Sequence, residues 1–355
     1  MLLEHTRTPR AEIFTYPNLK NLVNFIGMKE KILVTGATGF VGAEIVKQLL
    51  AQGKKVKALK RKSSNTGFLK SYEGQFEWVI GDVNDIPSLE RAFEDVGYVY
   101  HSAAMISFDP AQKFKMFKVN IEGTANMVNV SLAKGIKKFL QVSSVSAFGR
   151  YDIKEAINEQ TKWVDHAENT NYAIAKHRSE LEVWRAHEEG LNMVITNPAT
   201  ILGFGDWTQG SSQIFKNVFD EISFYPTGVN GFVSVEDVAK ACIQLMDSDI
   251  SGERFIISAE NISFKDLFES IANAFGKKVP SRPLSAFIRG IGWRFYWIKS
   301  KLLGQQPLVT KETTLYTSRD YLYENDKIKK ALDFKFENIE EVCVRTCKKY
   351  QEAVK

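Results

Sequence analysis

Two residues with chemistry to offer stand four apart, in Tyr172-Ala-Ile-Ala-Lys176. On a helix that spacing puts phenol and ammonium on one face. A free phenol ionises near pH ~10, too high for proton transfer near neutrality. A neighbouring cation favours the phenolate and lowers that value. A fall of about three pH units takes ~4 kcal/mol of local electrostatics, within reach of a desolvated cleft. A Tyr/Lys pair arises by chance on many helices, so its companions matter. Ser143 and Ser144 directly follow an apolar strand, 138–142. In an open α/β sheet the strand C-termini line the ligand crevice, where a serine hydroxyl can hydrogen-bond a carbonyl. The same serines could equally be capping or turn residues.

The elements that must position these groups begin at Lys31-Ile-Leu-Val-Thr35, a continuous apolar run of the kind a buried parallel strand uses. Gly36, Ala37, Thr38, Gly39, Phe40, Val41 and Gly42 then turn into a helix, 43–52, that stops at Gly53. Gly36 would allow the turn, Gly39 would let the backbone approach a pyrophosphate, and Gly42 would let helix and strand pack closely. The helix N-terminus offers free N–H groups and a positive dipole end to that phosphate. A glycine-rich turn lying between strand and helix points to a dinucleotide.

The end of the second strand bears on which dinucleotide. NAD sites place a carboxylate about 20 residues past the glycines, for the ribose 2′-hydroxyl. No Asp or Glu occurs from Gly53 to Tyr72, and Lys60-Arg61-Lys62 stands there instead. A guanidinium fork suits a 2′-phosphate, so Arg61 favours NADP, with NAD or a merely solvated basic loop as the alternatives. Asp82 and Val83, after the third strand, reach the adenine edge or form a cap or turn. After His101, the small residues Ser102, Ala103 and Ala104 let the chain pass close to a diphosphate.

Strands at 31–35, 54–59, 76–80, 96–102, 138–142 and 193–197 alternate with helical patterns at 43–52, 86–93, 114–134 and 172–189. That alternation predicts an α/β fold, a doubly wound Rossmann parallel sheet. We divide the chain into an N-terminal extension (1–27), a nucleotide-binding domain (28–200 and 229–260) and a smaller, mostly helical substrate-binding region (201–228 and 261–355). Segment 229–260 reads as strand, helix and strand rejoining the sheet.

Composition is that of a globular protein, 44% hydrophobic and 25% charged. The net charge of +5 is spread along the chain and supplies no nucleic-acid footprint. Cys242, Cys343 and Cys347 are too few for a disulfide framework and lack the partners of a metal site. No uncharged apolar run reaches the ~18 residues of a membrane span, and 1–10 lacks an apolar signal core. A soluble cytoplasmic protein is the expectation.

Taken together, Thr35-Gly-x-x-Gly-x-x-Gly42, the Ser144 strand end and Tyr172-x-x-x-Lys176 resemble the extended short-chain dehydrogenase/reductase family, the NAD-dependent epimerase/dehydratase superfamily. Asn120-Ile-Glu-Gly-Thr124, Asn197-Pro198 and Phe232-Val-Ser-Val-Glu-Asp-Val-Ala239 extend the match. The resemblance implies Ser144, Tyr172 and Lys176 as the catalytic trio. Tyr172 would exchange a proton with the substrate oxygen, and Lys176 would hold the ribose and lower the Tyr172 pKa. Asn120, Asn197 and Pro198 join the cofactor-binding set, the last two beside the nicotinamide. Family members often pair helices across a dimer interface, which leaves a homodimer open while the sequence itself does not fix oligomeric state.

Departures from the family patterns narrow the branch. Val145 and Ser146 stand where sugar-nucleotide dehydratases carry acids, and Asn230-Gly231 where many epimerases carry Arg. The presumed substrate loop holds Phe204, Trp207, Phe215, Phe219 and Phe224, with Lys216 its only cation. An apolar lining suits an uncharged carbonyl compound, although the same aromatics could simply be core. Trp293-Arg-Phe-Tyr-Trp297, Pro307-Leu-Val-Thr310, Tyr323 and Lys327-Ile328 resemble the dihydroflavonol-reductase-like and 3β-hydroxysteroid-dehydrogenase-like branch. The basic and aromatic stretch 286–303 could lie on a membrane surface or pack on the substrate region. The expectation is an NADP(H)-dependent reductase of an apolar or aromatic aldehyde or ketone. The alternative is an NAD-dependent nucleotide-sugar epimerase.

Overall fold

Short apolar runs make the strands of the first half: β1 (Lys31–Thr35), β2 (Val56–Lys60), β3 (Glu77–Ile80), β4 (Val96–His101), β5 (Lys138–Val142) and β6 (Met193–Pro198). Then come β7 (Thr200–Leu202), β8 (Phe224–Tyr225), β9 (Val229–Ser234), β10 (Glu253–Ile257), β11 (Glu260–Ser263) and β12 (Arg282–Pro283). The structure, a computed structural model, describes residues 30–149, 155–284 and 317–354. The extension 1–27, the stretch 286–303 and the motifs at 293–297 and 307–310 lie outside the described residues.

The helices between the first strands are α1 (Phe40–Ala51), α2 (Ile86–Ala92), α3 (Lys113–Phe117), α4 (Gly123–Lys134) and α5 (Asn171–Glu188). A π-turn, Lys118–Glu122, joins α3 to α4, so the expected single helix carries a wider turn in its middle. Further on lie α6 (Gln213–Phe219), α7 (Val235–Asp247), α8 (Phe264–Phe275), α9 (Asp326–Leu332) and α10 (Ile339–Val354). Local chemistry sets several boundaries. Thr170, Ser234 and Ser263 cap α5, α7 and α8 by accepting a backbone N–H three residues on. Gly135 and Gly276 end α4 and α8 in the left-handed conformation.

Seven parallel strands form one sheet in the order β10-β6-β5-β4-β1-β2-β3. The chain winds outward from β1 to β3, returns to β4 beside β1 and winds out the other way, so the crevice opens where β1 and β4 diverge. Both faces are covered. Ile45, Val46, Leu49, Val238 and Leu245 bury one face under α1 and α7. Leu89, Met127, Val128, Val183 and Ala186 bury the other under α2, α4 and α5. Lys138, buried in β5, donates to the Leu245 and Ser248 carbonyls, both at 2.6 Å, and so closes the C-terminus of α7.

Of segment 229–260, β10 rejoins this sheet beside β6, whereas β9 does not. It pairs parallel with β7 and antiparallel with β11 in a separate three-stranded sheet. That sheet, α6, α8 and α10 share a second core around Phe215, Phe232, Phe268, Ile271 and Cys343.

Candidate active site

The three glycines of the first turn have different surroundings. Gly36 has φ +67°, and a Cβ on it would fall 2.6 Å from the Ser102 carbonyl carbon and 2.7 Å from the Ala103 nitrogen. A Cβ on Gly42 would sit 2.3 Å from the Gly36 oxygen. Both positions are closed to any side chain, because chain passes there. Gly39 is exposed, and a Cβ on it would meet only the Gly36 oxygen, at 3.2 Å. No side chain caps α1 and no acid occupies its first turn, so its leading N–H groups beside Thr38, Phe40 and Val41 stay available to an anion.

Beyond β2 and β3 lies a cavity of about 370 Å³ lined by the cations Arg61, Lys62 and Arg91, the carboxylates Asp82 and Asp85, and Ile80, Gly81 and Ser88. Asp82 Oδ1 accepts the Asn84 N–H at 2.9 Å, and the Asp82 N–H donates to Ser88 Oγ at 3.0 Å, which braces the turn after β3 at the edge of the cavity. Val83 is buried, and its carbonyl accepts from Asn126 Nδ2 at 3.0 Å. Arg91 adds a cation on α2 that sequence reasoning passed over, because it reads as an ordinary exposed helix residue.

At the other side of the crevice, α5 presents Tyr172, half-buried, and Lys176, buried. Lys176 Nζ donates to the Val142 carbonyl at the end of β5, at 3.0 Å. Burial pushes its pKa down to about 8, and the Glu180 charge opposes that fall. The Phe108 ring stands edge-on to Tyr172, with centroids 6.1 Å apart. Ser144 follows β5, and its Oγ accepts the Ser146 N–H at 3.2 Å as a short 3-10 turn, Val145–Phe148, begins. Ser143 is buried, its N–H donating to Thr196 O at 2.7 Å. Asn197 Nδ2 donates to the Ser144 carbonyl at 3.0 Å, and Pro198 ends β6 beside Ile257.

His101 joins these two sides. Thr124 Oγ1 donates to the Asn120 carbonyl at 2.6 Å, so at 3.2 Å it must accept from His101 Nε2. Nδ1 is then an acceptor for Thr35 Oγ1, 2.6 Å away, which in turn accepts the Ala103 N–H at 3.2 Å. Complete burial holds the imidazole neutral, at a pKa of about 3. Asn120 lies in the π-turn, and its side chain exchanges two hydrogen bonds with the Met105 backbone, at 2.8 and 2.9 Å. Ser102 and Ala103 thus lie between Gly36 and this network, while Ala104 is exposed.

A dinucleotide fits the residues present. The glycine turn is exposed at Gly39, a cavity carrying Arg61, Lys62 and Arg91 beside Asp82 and Asp85 follows β2, and Asn197 Oδ1 is buried without a hydrogen-bond partner among the described residues. An acceptor left open in this way invites a ligand donor.

The aromatic loop is placed differently from the expectation of a substrate lining. Phe204, Trp207 and Phe215 surround Tyr350 of α10 at 4.8, 4.8 and 5.7 Å, and Phe219 packs on Phe275 at 5.2 Å. Phe215 is buried in the second core with Trp207 and Phe219 packed against it, while Phe204 stays exposed. Lys216 is held by Asp220. Cys343 and Cys347 are buried in the same core, and among the described residues no His, Cys, Asp or Glu cluster could hold a metal. No described helix is long and apolar enough to cross a membrane.

Comparison with known proteins identifies the family and the fold. The pattern of the NAD dependent epimerase/dehydratase family matches residues 32–258. Sterol demethylase protein B of Methylococcus capsulatus is 31% identical over 252 residues, 70% of this chain and 75% of its own length. A putative dihydroflavonol 4-reductase of Synechocystis is 28% identical over 86% of this chain and 90% of that one. Cinnamoyl-CoA reductase 1 of Petunia hybrida is 26% identical over 90% and 92%. Among solved structures, that of gox2253 superposes with a TM-score of 0.77 at 27% identity, covering 91% of this chain and 98% of that one. A UDP-glucose 4-epimerase from Thermotoga maritima, at 20% identity and a TM-score of 0.74, covers 92% and 100% and shares the fold. With its glycine turn, doubly wound sheet and reductase-named relatives, this chain belongs to the NAD-dependent epimerase/dehydratase family of extended short-chain dehydrogenases/reductases, which are NAD(P)-dependent oxidoreductases.

Proposed function

We propose that the chain is an NADP(H)-dependent reductase of an aldehyde or ketone, with Tyr172 as general acid. The observation that carries this reading is the buried Lys176 ammonium, bonded to the end of β5 one helical turn from Tyr172, with Ser144 at that same strand end. When bound, the dinucleotide supplies the hydride. The Ser144 hydroxyl donates to the substrate carbonyl, and Tyr172 gives its proton to that oxygen as negative charge builds there. Lys176 holds the ribose hydroxyls and lowers the Tyr172 pKa. Gly36, Thr38, Gly39, Phe40, Val41 and Gly42 hold the diphosphate, passed closely by Ser102, Ala103 and Ala104. Asp82 and Val83 bound the adenine, and Asn197 and Pro198 flank the nicotinamide. Asn120 serves this set by clamping Met105.

Preference for NADP is supported by Arg61, Lys62 and Arg91 in the cavity after β2; its carboxylates, Asp82 and Asp85, follow β3, and none stands between Gly53 and Tyr72, where NAD enzymes hold the ribose. Reduction is favoured over sugar chemistry by Val145 and Ser146, both buried, which bring no acid to the site. Asn230 also replaces the Arg that a sugar diphosphate would use, and it is buried and donates to Thr200 Oγ1 at 2.6 Å. An apolar group beside Tyr172 is the Phe108 ring, from the loop after β4.

The test follows NADPH absorbance with pooled apolar aldehydes and ketones. We expect loss of absorbance that depends on the pool, and no turnover in Tyr172→Phe with NADPH binding kept. Full turnover in that variant would overturn the role of Tyr172. No loss with NADPH or NADH, although the cofactor binds, would shift the assignment to an epimerase.

A further inference from the structure

One turn beyond Lys176 on α5 stands Glu180, a fully buried carboxylate for which the reaction above has no use. Burying a carboxylate is costly unless donors or cations meet its oxygens. Asn197 Nδ2 donates to Oε1 at 2.5 Å, and Arg254 Nη1 faces Oε2 at 3.5 Å. Both anchors are themselves fixed. Asn197 also donates to the Ser144 carbonyl. Arg254, on β10, donates to the Glu159 carbonyl at 3.1 and 2.7 Å and to that of Thr161 at 3.2 Å, and its guanidinium lies 4.1 Å over the Phe148 ring. The carboxylate is therefore held from two strands, β6 and β10, against the helix face that carries Tyr172 and Lys176.

We propose that Glu180 is a positioning residue of this site, which holds Lys176 as an ammonium by its charge, while Asn197 and Arg254 fix the carboxylate in place.

Among the described residues the charged and titratable groups facing the pair are these. Tyr172 shares α5 with Lys176, and His101 of β4 stands near it as a neutral ring. Around Glu180 are Lys176, Arg254 and the neutral Ser143 and Asn197 side chains. Burial pushes the Glu180 pKa up, while Ser143, Arg254 and Asn197 hold it down. Removing an anion from a buried ammonium makes the ammonium easier to deprotonate, so loss of Glu180 must move the titration of Lys176 to lower pH.

The test uses the full chain labelled with 13C at lysine Cε, without substrate, the Lys176 signal being identified by its loss in Lys176→Met. In Glu180→Gln the Lys176 midpoint is expected about one pH unit or more lower. In Glu180→Asp, which keeps the charge, it stays near that of the unmodified protein. An unmoved midpoint in folded Glu180→Gln overturns the proposal. Should that variant fail to fold, the reciprocal measurement decides. In Lys176→Met, labelled at glutamate Cδ, the Glu180 midpoint must rise, and an unchanged one overturns the proposal. The kinetic consequence rests on the reductase reading: the alkaline limb of kcat should move to lower pH together with the titration. A moved titration with an unmoved limb keeps the proposal and overturns the role given to Lys176.

Discussion

At the scale of single residues, His101 shows what burial does to a titratable group. Its ring is wholly enclosed, and both nitrogens are engaged, by Thr35 and Thr124. The folded-state pKa of about 3 lies below the ordinary value of 6.5, with burial the leading cause and the Lys176 charge the second. Between those values the unfolded chain binds the proton and the folded chain does not. Stability is therefore fully present above pH 6.5 and lost as pH falls toward 3, by up to ~1.4 kcal/mol per pH unit. In His101→Gln, which does not titrate, the fall in denaturation midpoint between pH 7 and 4 should be shallower than in the unmodified protein. Parallel curves would mean that His101 is charged in the folded state. A strand-end histidine among apolar neighbours could be seen in the sequence, but not which ring nitrogen donates. That follows from Thr124 donating to Asn120, a bond set by a turn 19 residues further on.

At the scale of elements, the strand–turn–helix that opens the nucleotide fold separates packing from ligand access. Gly42 touches the turn so closely that Ala there must push the start of α1 away from Gly36. Gly42→Ala should cost about 1–3 kcal/mol of stability and also weaken cofactor binding. Gly39 has φ −98° and a single tight neighbour, the Gly36 oxygen 3.2 Å from an added Cβ, so Gly39→Ala should cost about 1 kcal/mol or less of stability yet weaken cofactor binding several-fold. Denaturant unfolding and cofactor titration on both variants check this pair of outcomes. Equal stability losses would undo the division of labour. This element was legible because its signal is local: an apolar run, glycines at fixed spacing, then a helix. The π-turn at Lys118–Glu122 was not, since one wider turn barely disturbs a helical pattern while changing which way Asn120 faces. The network of Glu180, Asn197 and Arg254 was likewise hidden, because its members lie 17 and 74 residues apart in the chain.

At the scale of the whole molecule, the second core reaches the nucleotide turn through one short segment. Tyr350 of α10 accepts the Gly205 N–H at 3.0 Å and donates to the Gly205 carbonyl at 3.1 Å. The Phe40 ring, at the start of α1, lies so near that a Cβ on Gly203 or Gly205 would stand 3.1 or 3.2 Å from it. The aromatic loop 201–228 was open to misreading because its organising ring is supplied from more than 120 residues beyond it. Its work is to carry α10 onto the segment that backs Phe40. If the N–H groups beside Phe40 hold the diphosphate, cofactor binding and the order of segment 203–209 must be coupled, and coupling of this kind is reciprocal. Adding NADPH should slow hydrogen exchange at residues 203–209 and in the last turns of α10. Tyr350→Phe keeps the rings stacked but leaves both Gly205 groups without the hydroxyl, at a cost of about 1–2 kcal/mol in stability. Part of that loss should appear as cofactor affinity lowered by about threefold, since ~0.6 kcal/mol corresponds to that factor. Unchanged affinity together with unchanged exchange would mean that the two cores meet at Phe40 without influencing one another.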